Sequence, residues 1–367
     1  MNSIRLMRPY IDFAEVETDF RAVFDSGIFT RGPNVEALRA DISHYVGVPH
    51  VHLATSATTA LWVCLKLLNV GPGDEIVVSD FSFPATANVV EDMGARPMFA
   101  DVSLETFNML PAELERLLSP RTKAVIFVDA FGNPSGISAI KAICKARNIP
   151  LIEDAACAIG SSENGVRCGA IADLTCFSFH PRKLICSGEG GAITTHRADW
   201  SAWLDTKLMH GASGMKGVAL DFVEYGYNFR LPELQAIMGR KQLAKIDAIV
   251  DERNRVRDLY RKLIEPMGFV PQQAAKNVRF NVQSLTFVVP PNCDRDELIA
   301  NLKARGIEST IGTYSLSATT YYSKRYKVDN PNSRRLEAQT ITLPCYQNVP
   351  VDQVVEAIRD VLVKVAR

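Results

Sequence analysis

Residues 75–101 read EIVVSDFSFPATANVVEDMGARPMFAD. Glu75–Ser79 is a short apolar run without alternation, as in a strand covered on both faces. Ala85–Met93 reads as a helix, and Pro97–Asp101 is again strand-like. Strand–helix–strand is the unit from which parallel sheets are built, and Gly71-Pro72-Gly73-Asp74 is the turn that feeds it. Outward from this unit the alternation continues. Further strands are predicted at Val51–Ala54, Ala124–Val128, Pro150–Glu153, Leu174–Phe179 and Ala192–Thr195, with helices at Thr58–Leu68, Ala112–Leu118 and Ile137–Arg147. The expectation is an α/β fold, a mostly parallel sheet sandwiched by helices.

Past Pro232 the pattern changes. One long helical stretch carries Leu234, Ile237, Met238, Leu243, Ile246 and Ile249 on one side. Strand-like Val282–Val289 follows, then a helix over Arg295–Ala304 stopped by Gly306. A last helix has Val354, Val355, Ile358, Val361 and Leu362 at helical spacing. This is a smaller α+β unit, so the chain divides into a large domain, 1–240, and a small C-terminal domain, 241–367. A length of 367 residues suits two such units. The 41 basic and 41 acidic side chains cancel, which argues against an extended nucleic-acid surface. No apolar run is long enough to span a membrane. The opening MNSIRLMRPY lacks a secretory h-region, and none of the eight cysteines forms C-x-x-C. A cytoplasmic enzyme without a metal is the expectation; His50 and His52 share a strand face but lack a third ligand.

Four segments can carry chemistry. Leu151-Ile-Glu-Asp154-Ala-Ala ends a strand in an acid, where α/β sheets bind ligands; taken alone, Asp154 reads rather as a cap of the next helix. Phe177-Ser-Phe-His-Pro-Arg-Lys183-Leu-Ile-Cys-Ser-Gly-Glu-Gly-Gly191 leads from a strand to a lysine among apolar residues, then to a turn whose glycines allow close backbone approach to a flat ligand. An amine in such a cleft can form a Schiff base, although most lysines are simply solvated. Ala54-Thr-Ser56-Ala57-Thr58 joins a strand to a helix N-terminus, a phosphate cradle or a plain N-cap. Asp80-Phe-Ser-Phe83 offers a ring to stack, or a core phenylalanine. A cradle, a ring, an acid and an amine together are the needs of pyridoxal 5′-phosphate (PLP).

The order and wording of these segments resemble the DegT/DnrJ-type sugar aminotransferases, which have the aspartate-aminotransferase (type I) PLP fold. The resemblance starts at Ser26-Gly-Ile-Phe-Thr30-Arg-Gly32-Pro and includes Gly94–Asp101, Phe131-Gly-Asn-Pro, Glu153-Asp-Ala-Ala156 and Ser178-Phe-His-Pro-Arg-Lys183. It continues through Gly226-Tyr-Asn-Phe-Arg230 to Leu343-Pro344. It implies that Lys183 bonds the cofactor and then serves as general base, and that Asp154 keeps the pyridine nitrogen protonated. It implies phosphate anchors at Ser56, Ala57, Thr58 and Ser178, and stacking by Phe83. Asn228 is implied to reach the phosphate of a neighbouring subunit, hence a homodimer with shared sites. His180, Glu189, Arg230 and Tyr314 are implied to face the amino donor or the sugar.

Two positions depart from the family wording. Ala57 stands where glycine is frequent, which keeps every N–H. Cys157 stands where Gln or His can hydrogen-bond near the cofactor hydroxyl, and a thiol is a weak donor. Lys183 separates the chain from the branch that carries histidine there and dehydrates its substrate. The implied reaction is ping-pong transfer of an amino group, from L-glutamate by expectation, to a ketone on a nucleotide-linked deoxy sugar. Such products feed surface polysaccharide, lipopolysaccharide O-antigen or antibiotics. The alternatives are a keto-cyclitol or other non-nucleotide ketone, or a PLP-fold regulator without catalysis.

Overall fold

The computed structural model describes residues 3–365 of the chain. Its central sheet has seven strands: β1 (His50–Ala54), β2 (Glu75–Ser79), β3 (Arg96–Ala100), β4 (Thr122–Val128), β5 (Leu151–Asp154), β6 (Leu174–Ser178) and β7 (Gly191–Thr195). Their order is β1-β7-β6-β5-β4-β2-β3. Every pair from β6 to β3 is parallel, and β7 alone runs against both its neighbours. The reason is the link: only residues 179–190 join β6 to β7, and this segment is spent on the lysine loop and glycine turn rather than on a crossover helix. Seven predicted strands thus stand within a residue or two of their expected ends, in the α/β sandwich of the type I fold.

Helices cover both faces. On one side Ala57–Leu67 and Ala85–Asp92 pack against Ile76, Val78, Ile126, Ile152 and Ile193. On the other, Pro33–Val46 and Glu233–Leu243 meet near Phe177 and Phe179, while Ile137–Ala146 covers Val77, Val125 and Phe127. The long helix expected after Pro232 is two helices, Glu233–Leu243 and Ile246–Ile264, broken at Ala244-Lys245. Its apolar residues do not share one face. Leu243, Ile246 and Ile249 enter the sheet's core, whereas Leu234, Ile237 and Met238 meet Val16 and Val23 of the helix Phe13–Ser26.

One buried carboxylate ties this helix to the start of the fold. Glu233 accepts hydrogen bonds from the N–H groups of Gly32, Asn34 and Val35 at 2.9–3.0 Å, neutralising the free amides that open the helix Pro33–Val46. A Cβ on Gly32 would stand 2.8 Å from that carboxyl carbon, so the Thr30-Arg-Gly32-Pro wording needs its glycine for room.

A second, four-stranded sheet has the order β8 (Val270–Pro271), β9 (Leu285–Val288), β11 (Thr340–Leu343), β10 (Thr310–Ile311), with every pairing antiparallel. The helices Arg295–Ala304 and Val351–Val365 pack on it, burying Leu298, Leu302, Val354, Val355, Ile358 and Val361. Residues near the amino end run beside it: Ile4 N–H donates to Gly306 O, and Leu6 O accepts from Cys345 N–H. The strand expected over Val282–Val289 is shorter, because Val282 adopts a left-handed φ of 53° and breaks the extended run before Leu285. An exposed hairpin, Ala212–Lys216 against Ala219–Phe222, is held at its base by Lys207, a fully buried lysine that contacts Glu224 and donates to Tyr225 O at 2.9 Å.

Candidate active site

The carboxyl ends of β5 and β6 bring the acid and the amine together. Asp154 ends β5 and Lys183 lies five residues beyond β6, in a loop begun by the Lys183 N–H to His180 O hydrogen bond. Lys183 Nζ donates to Cys157 Sγ at 2.9 Å. The Cys157 position that departs from the family wording is therefore in contact with the amine itself.

Asp154 is buried. Its Oδ2 accepts from Thr86 Oγ1 at 2.8 Å and its Oδ1 from Ala156 N–H at 3.3 Å. A carboxylate accepts about four hydrogen bonds, so half of its capacity is open. Burial raises the Asp154 carboxyl above the usual carboxylate range, opposed by the Thr86 hydroxyl, the Ala156 amide and the Lys183 charge. A cationic N–H donor set against it would relieve that cost. Thr86, missed in the sequence reading, is fully buried and lies 3.0 Å from Ser82 Oγ, forming a hydroxyl relay into the acid.

Ser56 is the N-cap of the helix Ala57–Leu67. Its Oγ accepts from Thr59 N–H at 3.1 Å, and the Thr59 hydroxyl accepts from the Ser56 N–H. The N–H groups of Ala57 and Thr58 have no acceptor within the helix. Such amides can take an anion, and the Ala57 methyl group beside them is buried. Gly191 packs on this turn: a Cβ there would meet Ser56 C at 2.7 Å and Ala57 N at 2.8 Å. The glycine at this point makes room for the turn that opens the helix Ala57–Leu67. Ser178, at the end of β6, accepts the His180 N–H at 3.3 Å.

Phe83 is 65% exposed, so its ring is available rather than sequestered in the core. Tyr314 reaches it across more than two hundred residues. Tyr314-Ser315 pairs antiparallel with Phe81-Ser82, and the Phe83 and Tyr314 centroids are 6.5 Å apart. Asp80 fixes this junction, accepting from Ser317 N–H at 2.7 Å, Ser317 Oγ at 2.8 Å and Ser315 Oγ at 3.2 Å, and from Ser333 Oγ. His180 Nδ1 accepts from Arg182 N–H, and burial lowers the imidazole below its usual range despite the opposing charge of Glu189. Glu189 is exposed. Arg230 forms no ion pair among the described residues, and the adjoining Leu231 packs on Gly190. Asn228 is apart from this cluster in kind: it lies exposed on the segment after the hairpin and pairs with Met209. His52 is bound by Ser201 and Asp205. Asp129, Glu153 and Cys168, all buried, have their ligand-type atoms within 4.8 Å of one another.

A lysine amine and a half-satisfied buried carboxylate beyond adjacent strand ends, beside the N-terminus of a helix, stand in a fold of the type I, PLP-dependent aminotransferase class. The chain belongs to the DegT/DnrJ/EryC1/StrS aminotransferase family, whose pattern matches residues 11–361. It is 30% identical to the spore coat polysaccharide biosynthesis protein SpsC of Bacillus subtilis, over 96% of each chain. It is 29% identical to GDP-perosamine synthase of Caulobacter vibrioides, over 98% of each. Spr1654 of Streptococcus pneumoniae, solved in its PLP form, superposes with a TM-score of 0.92 at 27% identity, over 99% of each chain. No helix among the described residues is long and apolar enough to cross a membrane.

Proposed function

We propose that this enzyme aminates a keto group on a nucleotide-linked deoxy sugar, with L-glutamate as donor and PLP as cofactor. The observation that carries the reading is the placement, beyond adjoining strand ends, of the Lys183 amine, which donates to Cys157 Sγ, and the half-satisfied Asp154 carboxylate. The likeness to a GDP-perosamine synthase supports the sugar and the nucleotide. When bound, PLP supplies an electrophilic carbon and an electron-withdrawing ring. Asp154 holds a proton at the ring nitrogen. Lys183 Nζ would hold the cofactor's carbonyl carbon, and when not so engaged would serve as the base that moves a proton at the donor's Cα. The Ala57 and Thr58 amides with the Ser56 and Ser178 hydroxyls hold the phosphate, and Phe83 covers the ring. Cys157 sits beside the amine, where its thiol orients Nζ. His180, Glu189, Arg230 and Tyr314 line the substrate side.

The working form is a homodimer with shared sites. Exposed Phe13, Phe24, Ile28 and Phe29, and the hairpin's Met215, Val218 and Phe222, supply apolar surface for a second copy, and Asn228 beyond that hairpin serves the partner's phosphate. Residues 1–240 bind the cofactor, and 241–367 form the smaller unit that brings Tyr314 to it. A reducing, cytoplasmic setting is supported by the eight cysteines, all free thiols among the described residues. The test is competition. Turnover of a keto sugar with glutamate should be inhibited by the bare nucleoside diphosphate; inhibition by the sugar's cyclitol analogue alone would assign a non-nucleotide ketone.

A further inference from the structure

The lysine loop is held from outside by a segment that the reaction does not otherwise use. Gln283 is buried, and its side-chain amide grips the peptides on both sides of Lys183. Nε2 donates to Arg182 O at 2.6 Å, and Oε1 accepts from Leu184 N–H at 2.9 Å. Asn281, two residues earlier and also buried, donates from Nδ2 to Cys157 O and Ile159 O, each at 2.8 Å, and accepts the Gln283 N–H at 2.9 Å. One short segment therefore fixes the loop of the amine and the loop of the thiol that touches it. The segment is itself immobilised. Arg253, fully buried, donates to Val282 O at 2.7 Å and Gln283 O at 2.8 Å, and also to Cys345 O. The left-handed Val282 lies between the two amides, in a conformation a β-branched residue rarely adopts.

We propose that Gln283, backed by Asn281, is a positioning residue that sets where the Lys183 amine stands. This rests on the reading of Lys183 as the cofactor-bonding amine. One end of the group has to donate and the other accept, which an amide does at any pH and a carboxyl only when protonated. Capture of PLP forms a bond from Nζ to the aldehyde carbon with loss of one water, and its rate depends on the position of Nζ. Binding of pyridoxamine phosphate uses the same cradle and acid but forms no bond to Lys183, so it is independent of that position.

The test is made on the full-length protein, comparing wild type with Gln283→Leu and Gln283→Glu. PLP is added, borohydride is used to fix the lysine–cofactor bond at timed intervals, and the Lys183 peptide is quantified by mass spectrometry. Affinity for pyridoxamine phosphate is measured in parallel. The expected result is Lys183 labelling slowed about 10-fold or more, with pyridoxamine phosphate affinity within about two-fold of wild type. In Gln283→Glu the new carboxylate can accept from Leu184 N–H but repels Arg182 O until protonated, so this variant's labelling rate, relative to wild type, should recover as pH falls. Unchanged labelling in both variants, or equal loss of both measurements, would overturn the proposal. Gln283→Glu keeps the side chain's size, so it decides the matter if Gln283→Leu does not fold. Wild-type label on a residue other than Lys183 would instead overturn the reading of the amine, and the positioning role with it.

Discussion

Thr86→Val removes one hydroxyl from the acid end of the site and keeps the side chain's shape. The lost bond runs from Thr86 Oγ1 to Asp154 Oδ2 at 2.8 Å, in a fully buried setting. A hydrogen bond to a charged group contributes about 1.5–3 kcal/mol net. Its loss moves the Asp154 carboxyl further upward, because the bond favours the ionised form. Burial has already raised that carboxyl above its unfolded value. The stability tied to its protonated form is therefore fully present below the usual carboxylate range and is lost as pH rises through the folded value. Thr86→Val extends the loss. The variant should differ little from wild type on the acid side and be weaker by about 1.5–3 kcal/mol where Asp154 is ionised. Ser82 Oγ, 3.0 Å from Thr86 Oγ1, also loses a partner and adds a smaller, pH-independent cost. The assay is the thermal midpoint of the cofactor-free protein between pH 5 and 8, with Thr86→Ser as the hydroxyl control. A wild-type-minus-variant difference that does not change with pH would refute the coupling, as would a Thr86→Ser protein no better than Thr86→Val.

Asp129 is fully buried with neither carboxyl oxygen bonded, and burial followed by the adjacent Glu153 charge raises it well above the carboxylate range. Wild-type stability should therefore fall as pH climbs through that raised value. Asp129→Asn, whose amide donates without titrating, should flatten the thermal-midpoint curve between pH 5 and 9; parallel curves would contradict this. Inactive Asn228→Ala and inactive Lys183→Ala subunits, mixed and reassociated, should regain about a quarter of wild-type activity. In a random mixture half the molecules are hybrids, and each has one site with both residues intact. No recovery would mean that Asn228 serves its own chain.

Much of the sheet was legible because strands covered on both faces are plain apolar runs bounded by turns, as Glu75–Ser79 and Leu174–Ser178 are. The reversed direction of β7 escaped, although a twelve-residue link that must also carry Lys183 leaves no room for a crossover. The break at Ala244-Lys245 was hidden because apolar spacing does not say which partner each turn meets, and here the partners differ. Asp154 and Lys183 stood out through their wording. Thr86 and Gln283 did not, because their bonds span 68 and about a hundred residues of sequence, and nothing local marks a threonine or glutamine as bound for a distant backbone. The sequence Asn281-Val-Gln283 alternates like a strand edge, while the structure uses its polar side chains as a clamp.

The central claim is that this chain takes an amino group from a donor onto its cofactor before any sugar arrives. The direct measurement is to load the protein with PLP, remove the excess, add L-glutamate alone, and follow the visible spectrum together with 2-oxoglutarate. The account predicts loss of the lysine-bound cofactor's band and one equivalent of 2-oxoglutarate per site, with neither in Lys183→Ala. A stable band and no oxo acid released, with glutamate or any other amino-acid donor, would contradict it.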